Sequence, residues 1–473
     1  MTNLVIIFLV YYGIFVVPTI FAILLDNRQP AKAVSWILVL VFLPFIGLLL
    51  YFFFGQNIRK ERLINQKSLD QLTKRTMVEF VAQRDLRLPD NYAPLINQFI
   101  ESNWSLPFKD NTTEIFTSGA DFFLSLLYNI GQAAHHIHID TYLIEDDAIG
   151  NLVADTLIDA AQRGVEVRLI YDDVGSWKVP RRFFRRMTDA GIELYPFLPV
   201  YFPVLTSKVN YRNHRKIIVI DGTVGYIGGM NIAQRYVKGT GNQPWRDTML
   251  RVSGGGVHAL QRAFLVDWYF VDRTLLSDRK YYPRCEQITN NCLAQVVTSG
   301  PTTPYPEIMQ GYVRIILGAR RYLYLETPYF LPNESVLFAL KTVALAGVDV
   351  RVLCPRRSDA RFVEWASRSY LREIQEAGVK GSLYEAGFLH SKLLVCDDAI
   401  TTCGSTNLDF RSFENNFEAN IFFFDEGVAL RMKNMFMRDL AQAVSFEDVC
   451  KQRGNGFFTR LWESVTRMLS PLF

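Results

Sequence analysis

The chain has 473 residues, 49% of them hydrophobic, and 51 Lys+Arg against 47 Asp+Glu give a formal net charge of +4. That length suits two or three domains, and so small a charge singles out no nucleic-acid partner. Six cysteines (Cys285, Cys292, Cys354, Cys396, Cys403, Cys450) lack C-x-x-C spacing, which favours a reduced, cytoplasmic setting and small apolar roles for Cys396 and Cys403.

Apolar residues concentrate at the start of the chain. Leu4 to Leu25 carries no charge and is broken only by Pro18; Ala33 to Ile58 is a second such run, holding Pro44 and Gly47. Each is long enough to cross a hydrocarbon core of ~30 Å at about 1.5 Å per residue. Only Asp26, Arg28 and Lys32 supply charge between them, so residues 1–58 are expected to form a transmembrane helical hairpin. A cleaved signal peptide fits less well, because the first run lacks a basic leader and a second run follows at once. Arg59, Lys60, Arg62, Lys67, Lys74 and Arg75 follow the second run, whereas the N-terminal tail has no basic residue. That asymmetry predicts a multi-pass anchor in the plasma membrane with the residues that follow it in the cytoplasm. Residues 59–110 then read as a juxtamembrane linker.

From about Thr113 strand-like and helix-like segments alternate. "HHIHIDTYLI" reads as a strand, "GNLVADTLIDAAQRG" as an amphipathic helix, "VEVRLIYDD" as a strand and "RRFFRRMTDAG" as a helix. The alternation predicts an α/β layer architecture with a largely parallel sheet. The same order returns later in the chain. Asp140 in "HIDTYLI" matches Glu326 in "YLETPYF", and Gly164 matches Gly347 ahead of two similar strands. His214 matches His390 at a comparable offset, so the chain reads as a duplicated unit. Its expected parts are a first lobe over 111–276, a linker over 277–304, a second lobe over 305–450 and a tail over 451–473.

Two stretches inside this repeat carry the chemistry: "NHRKIIVIDGTVGYIGGMN" from Asn213 and "LHSKLLVCDDAITTCGSTN" from Leu389. In each, histidine and lysine stand two residues apart, on one face of a strand and about 7 Å from each other. Asp221 and Asp397 lie seven residues after their histidines, an odd offset that turns them to the opposite face and places them about 23 Å away. They are expected to fix the following turn rather than to orient the imidazoles. Gly228–Gly229 and Gly404–Ser405 would let the next strand approach closely, and Asn231 and Asn407 follow as amide donors. One copy alone suits a strand with a solvated polar edge. Two copies folded about a pseudo-twofold would set His214, Lys216, His390 and Lys392 around one phosphodiester. One histidine would attack phosphorus and the other would serve as acid and then base, with no metal required.

The paired H-x-K-x4-D-x6-G-[GS]-x-N motifs resemble the phospholipase D superfamily. "SWILVLVFLPFIGLLLYFFFG", "ETPYFLP", "LDFRSFENNFEAN" and "MLSPLF" are similar to the bacterial cardiolipin synthases of that superfamily almost end to end. The resemblance implies two pseudo-symmetric α/β/α lobes with the site between them, and a catalytic set of His214, Lys216, Asp221, His390, Lys392 and Asp397. It implies no cofactor, phosphatidylglycerol and other phospholipids as partners, and condensation of two phosphatidylglycerols into cardiolipin and glycerol through a phosphohistidine. It also implies that an acid on the next strand orients each histidine. Asp247 and Glu418 occupy matching places, 33 and 28 residues after His214 and His390. His214 is taken as nucleophile and His390 as acid/base, with the reverse left open by the internal symmetry. A hydrolytic phospholipase D or a phosphatidylserine-forming relative shares the motif; a nuclease and a non-catalytic membrane scaffold fit the chain less well.

Four further segments have competing readings. "HHIH" places His136, His138 and Asp140 on one strand face, which suits a polar face better than a metal site. "RRFFRR", Arg181 to Arg186, is a solvated helix face or a lure for anionic headgroups. "LYPFLPVYFPVL", Leu194 to Leu205, is a buried extended segment or a lip dipping into the bilayer. In the tail, Phe458, Leu461, Val465 and Met468–Leu469 form one helical stripe, which would either lie in the membrane interface or pack on the second lobe.

Overall fold

A computed structural model describes residues 2–25, 30–55, 72, 74, 76–78, 80–81, 83, 86–200, 210–241, 243–284, 288–303, 305–453 and 456–470. Two compact units divide the chain, Met1–Lys60 with Val200–Tyr211, and Glu61–Pro199 with Arg212–Phe473.

In the first unit, helical turns run from Thr2 to Leu25, with a π-helical turn at Tyr12–Val16 ahead of Pro18. Pro18 has no N–H to return to the preceding turn, and a widened turn there absorbs the loss. Val5–Leu25 is 21 residues long, and among the described residues it alone is long and apolar enough to cross a bilayer. The second apolar run does not form one rod. Its helix Pro30–Phe42 stops, Leu43 leaves helical geometry at φ −131° and ψ 62°, and a new helix starts at Pro44. Proline disfavours the helical conformation in the residue before it, which accounts for the break. The two arms still pack together: Val16, Ile23 and Leu40 are fully buried, and Tyr11 stacks on Phe45 with ring centroids 4.3 Å apart.

The second unit holds two sheets of matching design. The first contains β1 (Thr112–Phe116), β2 (His136–Thr141), β3 (Glu166–Asp172), β4 (Glu193–Phe197), β5 (Lys216–Ile220), β6 (Val224–Gly228) and β7 (Met249–Ser253). The second contains β8 (Leu293–Ser299), β9 (Tyr322–Glu326), β10 (Asp349–Pro355), β11 (Lys380–Tyr384), β12 (Leu393–Cys396), β13 (Ile400–Gly404) and β14 (Glu418–Phe424). Their spatial orders are β1-β7-β6-β5-β2-β3-β4 and β8-β14-β13-β12-β9-β10-β11, the same order strand for strand. The second sheet gains Pro107–Phe108 beside β8 and Ala443–Ser445 beside β11.

Neither sheet is largely parallel, contrary to the expectation. β2, β3 and β4 run parallel, as do β9, β10 and β11, but β5 to β7 and β12 to β14 join antiparallel. The cause lies in the motif itself. Asp221 and Gly222 at φ 53° and 66°, and Asp397 and Asp398 at 54° and 58°, open three-residue connections, 221–223 and 397–399, that are too short for anything but antiparallel hairpins.

Among the described residues of this unit three hydrophobic cores result. Helices Gly119–Gln132, Ala148–Gln162 and Arg181–Asp189 cover the outer face of the first sheet, around Leu126, Val153, Ile137 and Phe183. Helices Glu307–Gly318, Glu334–Leu345 and Arg361–Glu376 cover the outer face of the second, around Ile315, Leu340, Leu323 and Ile374. Between the sheets lies a shared core in which Ile217, Leu250 and Val257 meet Val296, Leu393 and Phe423.

The expected linkers belong partly to these lobes. Within 59–110, helix Ala93–Asn103 buries Leu95, Ile96 and Phe99 in the core of the second lobe. Within 277–304, β8 alternates Leu293, Gln295 and Val297 against Ala294 and Val296 and pairs with β14. Polar neighbours had hidden both elements. The extended reading of Leu194 to Phe197 corresponds to β4, while 201–205 lie outside the described residues.

Candidate active site

Each motif histidine precedes a central strand and is held there by the other lobe. The His214 N–H donates to the Phe417 carbonyl at 2.9 Å, and the Phe417 N–H donates to the Arg212 carbonyl at 2.8 Å. The counterpart joins Phe388–Leu389 in parallel to Trp245–Arg246, and the His390 N–H donates to the Arg246 carbonyl at 2.7 Å. These short ladders carry each acid across the pseudo-twofold. Glu418 oxygens lie 3.1 and 3.2 Å from His214 Nδ1, and Asp247 Oδ2 lies 2.6 Å from His390 Nδ1. The acids therefore do not serve the histidines that precede them in sequence. Two complementary pairs form, each with one residue from each lobe. No spacing within a single repeat could have revealed the exchange.

The lysines stand on the same strand faces as their histidines. Lys216 Nζ donates to the His214 carbonyl at 2.6 Å, and Lys392 donates to the His390 carbonyl and lies 3.7 Å from Asp247 Oδ2. Tyr142 lies over both His214, at 5.1 Å between centroids, and the Lys216 ammonium, at 5.2 Å. Trp245 and Phe388 flank His390 at 5.2 and 5.7 Å.

Burial and charge shape the ionisation of this cluster. Burial lowers the Lys216 pKa to about 7, with Glu418 opposing the shift and Lys392 adding to it. Burial likewise lowers Lys392 and both histidines, His390 to about 4. Burial pushes Glu418 and Asp247 upward, yet the adjoining imidazoles and lysines outweigh it and hold both carboxyls below their ordinary range. The field of Lys392 reaches both His214 and Lys216, so the two halves form one electrostatic site. Imidazoles are thus neutral and carboxylates ionised, and an imidazole that donates its Nδ1–H to the acid keeps the lone pair on Nε2.

The remaining motif residues separate by strand end. Gly229 and Gly404 sit at the site end of their hairpins, where close approach is needed. A Cβ on Gly229 would fall 2.1 Å from Asp247 Oδ1, and one on Gly404 would fall 2.3 Å from the Ala419 oxygen. At the position matching Gly229, Ser405 donates its hydroxyl to Glu418. Asn231 donates to the Tyr236 hydroxyl at 2.7 Å, and the buried amide oxygens of Asn231 and Asn407 have no hydrogen-bond partner among the described residues. Asp221 and Asp397 lie at the far ends. Asp221 accepts from the N–H groups of Ala134, His135 and His136 at 2.8 to 2.9 Å, and Asp397 accepts from Arg320, Arg321 and Tyr322 at 2.7 to 2.9 Å. They tie the hairpin turns to the starts of β2 and β9, at the opposite strand ends from the motif imidazoles.

Behind each half stands an ion pair that the motif reading missed. Arg215 pairs with Asp267 and donates from Nε to the Glu418 carbonyl at 3.1 Å, while Asn213 donates to Asp140 at 2.7 Å. Arg246 pairs with Asp439 at 2.6 Å, close to Glu326. Burial raises Asp140 above the carboxyl range, with Asp267 adding to the rise. Burial also pushes Glu326 up to about 8, against the opposing field of Arg246. The matching of Asp140 with Glu326 in the repeat was the available signal for these acids. His136 and His138 share Gln261 instead, at 3.0 and 2.8 Å.

A family model described as cardiolipin synthase, phospholipase D-like domain, matches residues 126–257 and 312–440, one segment on each lobe. The chain belongs to the phospholipase D-like cardiolipin synthase family. A second model, phospholipase D-nuclease N-terminal, matches residues 13–56 across the apolar arms. A cardiolipin synthase of Geobacillus sp. is 38% identical over 460 residues, covering 96% of this chain and 91% of that protein. One from Halalkalibacterium halodurans is 38% identical over 462 residues, covering 95% and 90%. Among solved structures, phosphatidylserine synthase of Haemophilus influenzae superposes with a TM-score of 0.61 at 14% identity, over 80% of this chain and all of that one. That likeness is one of fold, and the two-lobed arrangement is common to both proteins. Family membership and the apolar N-terminal helix make this member of the family a membrane-associated transferase.

Proposed function

We propose that the chain condenses two phosphatidylglycerols into cardiolipin and glycerol at the paired histidines. The observation that carries this reading is the exchange of acids between lobes, which leaves two imidazole Nε2 atoms, backed by two lysines, for one phosphodiester.

His214 is the nucleophile in this reading, supported by its greater side-chain exposure, 13% against 9% for His390. Its Nε2 lone pair forms the N–P bond while the bond from phosphorus to the glycerol headgroup oxygen breaks. His390 Nε2–H gives its proton to that leaving oxygen. A phosphodiester anion beside His390 offsets the burial that otherwise keeps it neutral and favours the protonated form. The headgroup hydroxyl of a second phosphatidylglycerol then returns a proton to His390, its oxygen bonds to phosphorus, and the N–P bond breaks. Lys216 and Lys392 neutralise the equatorial oxygens. A unit charge pair at ~4 Å and an effective dielectric near 20 is worth about 4 kcal/mol, and only the portion that grows in the transition state speeds the reaction. Asn231 and Asn407 are phosphate-side amides, and Asp221 and Asp397 set the frame.

In the membrane, the two N-terminal arms form a multi-pass anchor that leaves the catalytic lobes in the cytoplasm. The lysine and arginine excess after residue 58 supports that orientation. The test of function is product analysis of the purified full chain with phosphatidylglycerol as sole lipid. Cardiolipin and glycerol in equal amounts are expected; phosphatidic acid as the main product would show water as acceptor and overturn the assignment.

A further inference from the structure

The C-terminal helix Phe457–Met468 is turned inside out relative to a helix packed on a soluble protein. Its polar side faces the second lobe. Glu463 and Thr466 are 4% and 1% exposed, Glu463 pairs with Arg372 at 2.9 Å, and Arg467 reaches Glu373 and lies over the Tyr370 ring. Its apolar side faces away from the protein: Phe457, Phe458 and Met468 are 73%, 82% and 81% exposed, and Leu461, Trp462, Val465 and Leu469 are also exposed. At 100° per residue these seven side chains fill one unbroken arc of about 140°.

Scattered exposed apolar side chains are ordinary, but a contiguous arc marks a surface that is covered in use. Three observations select what covers it. Trp462 stands at the edge of the arc, the depth at which indole rings collect at membrane interfaces. It packs edge-on against Trp365, which in turn meets the exposed Phe362, so aromatic surface continues onto the second lobe. The helix turns its one acid, Glu463, inward, while Arg460 beside the arc stays exposed. The outward face is therefore apolar with the cationic Arg460 at its margin, complementary to an anionic lipid surface.

We propose that the Phe457–Met468 helix is an interfacial membrane contact of the second lobe, lying in the headgroup region of an anionic bilayer while salt bridges through Arg372 and Glu373 fasten it to the catalytic body. The contact is additional to the N-terminal apolar arms and lies outside both segments matched by the family model. It applies the second lobe to the surface from which lipid substrates are drawn.

Site-directed spin labelling tests it on the full chain in vesicles of phosphatidylcholine and phosphatidic acid, with Cys285 and Cys450 replaced by serine. The other four cysteines are buried. Nitroxides at Phe458, Leu461 and Met468 should be relaxed strongly by oxygen and weakly by a water-soluble nickel chelate, and one at Arg460 should show the reverse balance. Arc labels as open to nickel as the Arg460 label would overturn the proposal by showing that the face meets water. Arc labels closed to both reagents would overturn it in favour of a second copy of the chain. Arg372→Ala should loosen the helix, so that the oxygen preference stays while nitroxide mobility rises, an outcome a merely structural helix would not give.

Discussion

Seven residues separate Asp221 from His214 and Asp397 from His390, and that odd spacing divides their work. Each aspartate accepts three backbone N–H groups at the far end of its hairpin, while Glu418 and Asp247 hold the imidazoles. Asp221→Asn should therefore cost about 1–3 kcal/mol of stability through weakened turn bonds and leave the turnover of folded enzyme within a few-fold. Glu418→Gln should fold and yet lose about 100- to 10,000-fold in turnover, because an amide cannot fix the productive tautomer of His214. Thermal melts and initial rates on the same preparations separate the two effects. A turnover loss for Asp221→Asn equal to that for Glu418→Gln would contradict this division. The face and spacing of both His/Lys pairs were legible from strand periodicity alone. Which acid meets which histidine was not, because parity speaks only about one strand and the decisive contacts cross from lobe to lobe.

At the level of elements, the repeat was legible as matched strands, whereas the sheet direction was misread. The β-α-β alternation at the start of each lobe is parallel as expected, but the motif strands pair through three-residue turns that begin at Asp221–Gly222 and Asp397–Asp398. An Asp-Gly pair between β-branched runs was the hairpin signal. Helix Ala93–Asn103 and strand β8 were hidden by their polar neighbours, and the apolar partners that hold them in place lie far away in sequence. Ion pairs behind the site join such elements: Arg246 in the first lobe meets Asp439 on helix Glu426–Leu440 of the second, beside Glu326. Glu326 is raised to about 8 from an ordinary carboxyl value, so its protonated form stabilises the fold below about pH 4.5 and that contribution fades as pH rises through 8. Glu326→Gln removes the titration. Relative to the unsubstituted chain the variant should therefore gain stability between pH 5 and pH 8.5, by about 1.4 kcal/mol per pH unit within the window. Urea midpoints at the two pH values check this, and a difference that stays constant would show that Glu326 is ionised in the fold.

The whole catalytic body is two copies of one sheet closed around a common core, and it is this closure that makes a single site from two motifs. Leu250 of the first lobe is fully buried in that core with Val296, Leu393 and Phe423 of the second. Leu250→Ala should cost about 2–5 kcal/mol and speed hydrogen exchange in β12 as much as in β5, since neither lobe keeps its inner face covered alone. Exchange that accelerates only in β5 would show two independently stable lobes. Twofold repetition was legible in the sequence, and so was the reaction it implies; the shared core was not, because inward faces of both sheets carry the same Val, Ile and Leu as outward ones.

The covalent step tests the account most directly. Full-length protein mixed with phosphatidylglycerol, quenched within one turnover and digested under alkaline conditions that preserve phosphoramidates, should yield a phosphatidyl adduct on the peptide bearing His214. The adduct should accumulate when the acceptor step is blocked in His390→Ala supplied with a substrate whose leaving group needs no proton. Cardiolipin formed at full rate by protein lacking His214, or an adduct on any residue other than the two motif histidines, would contradict it.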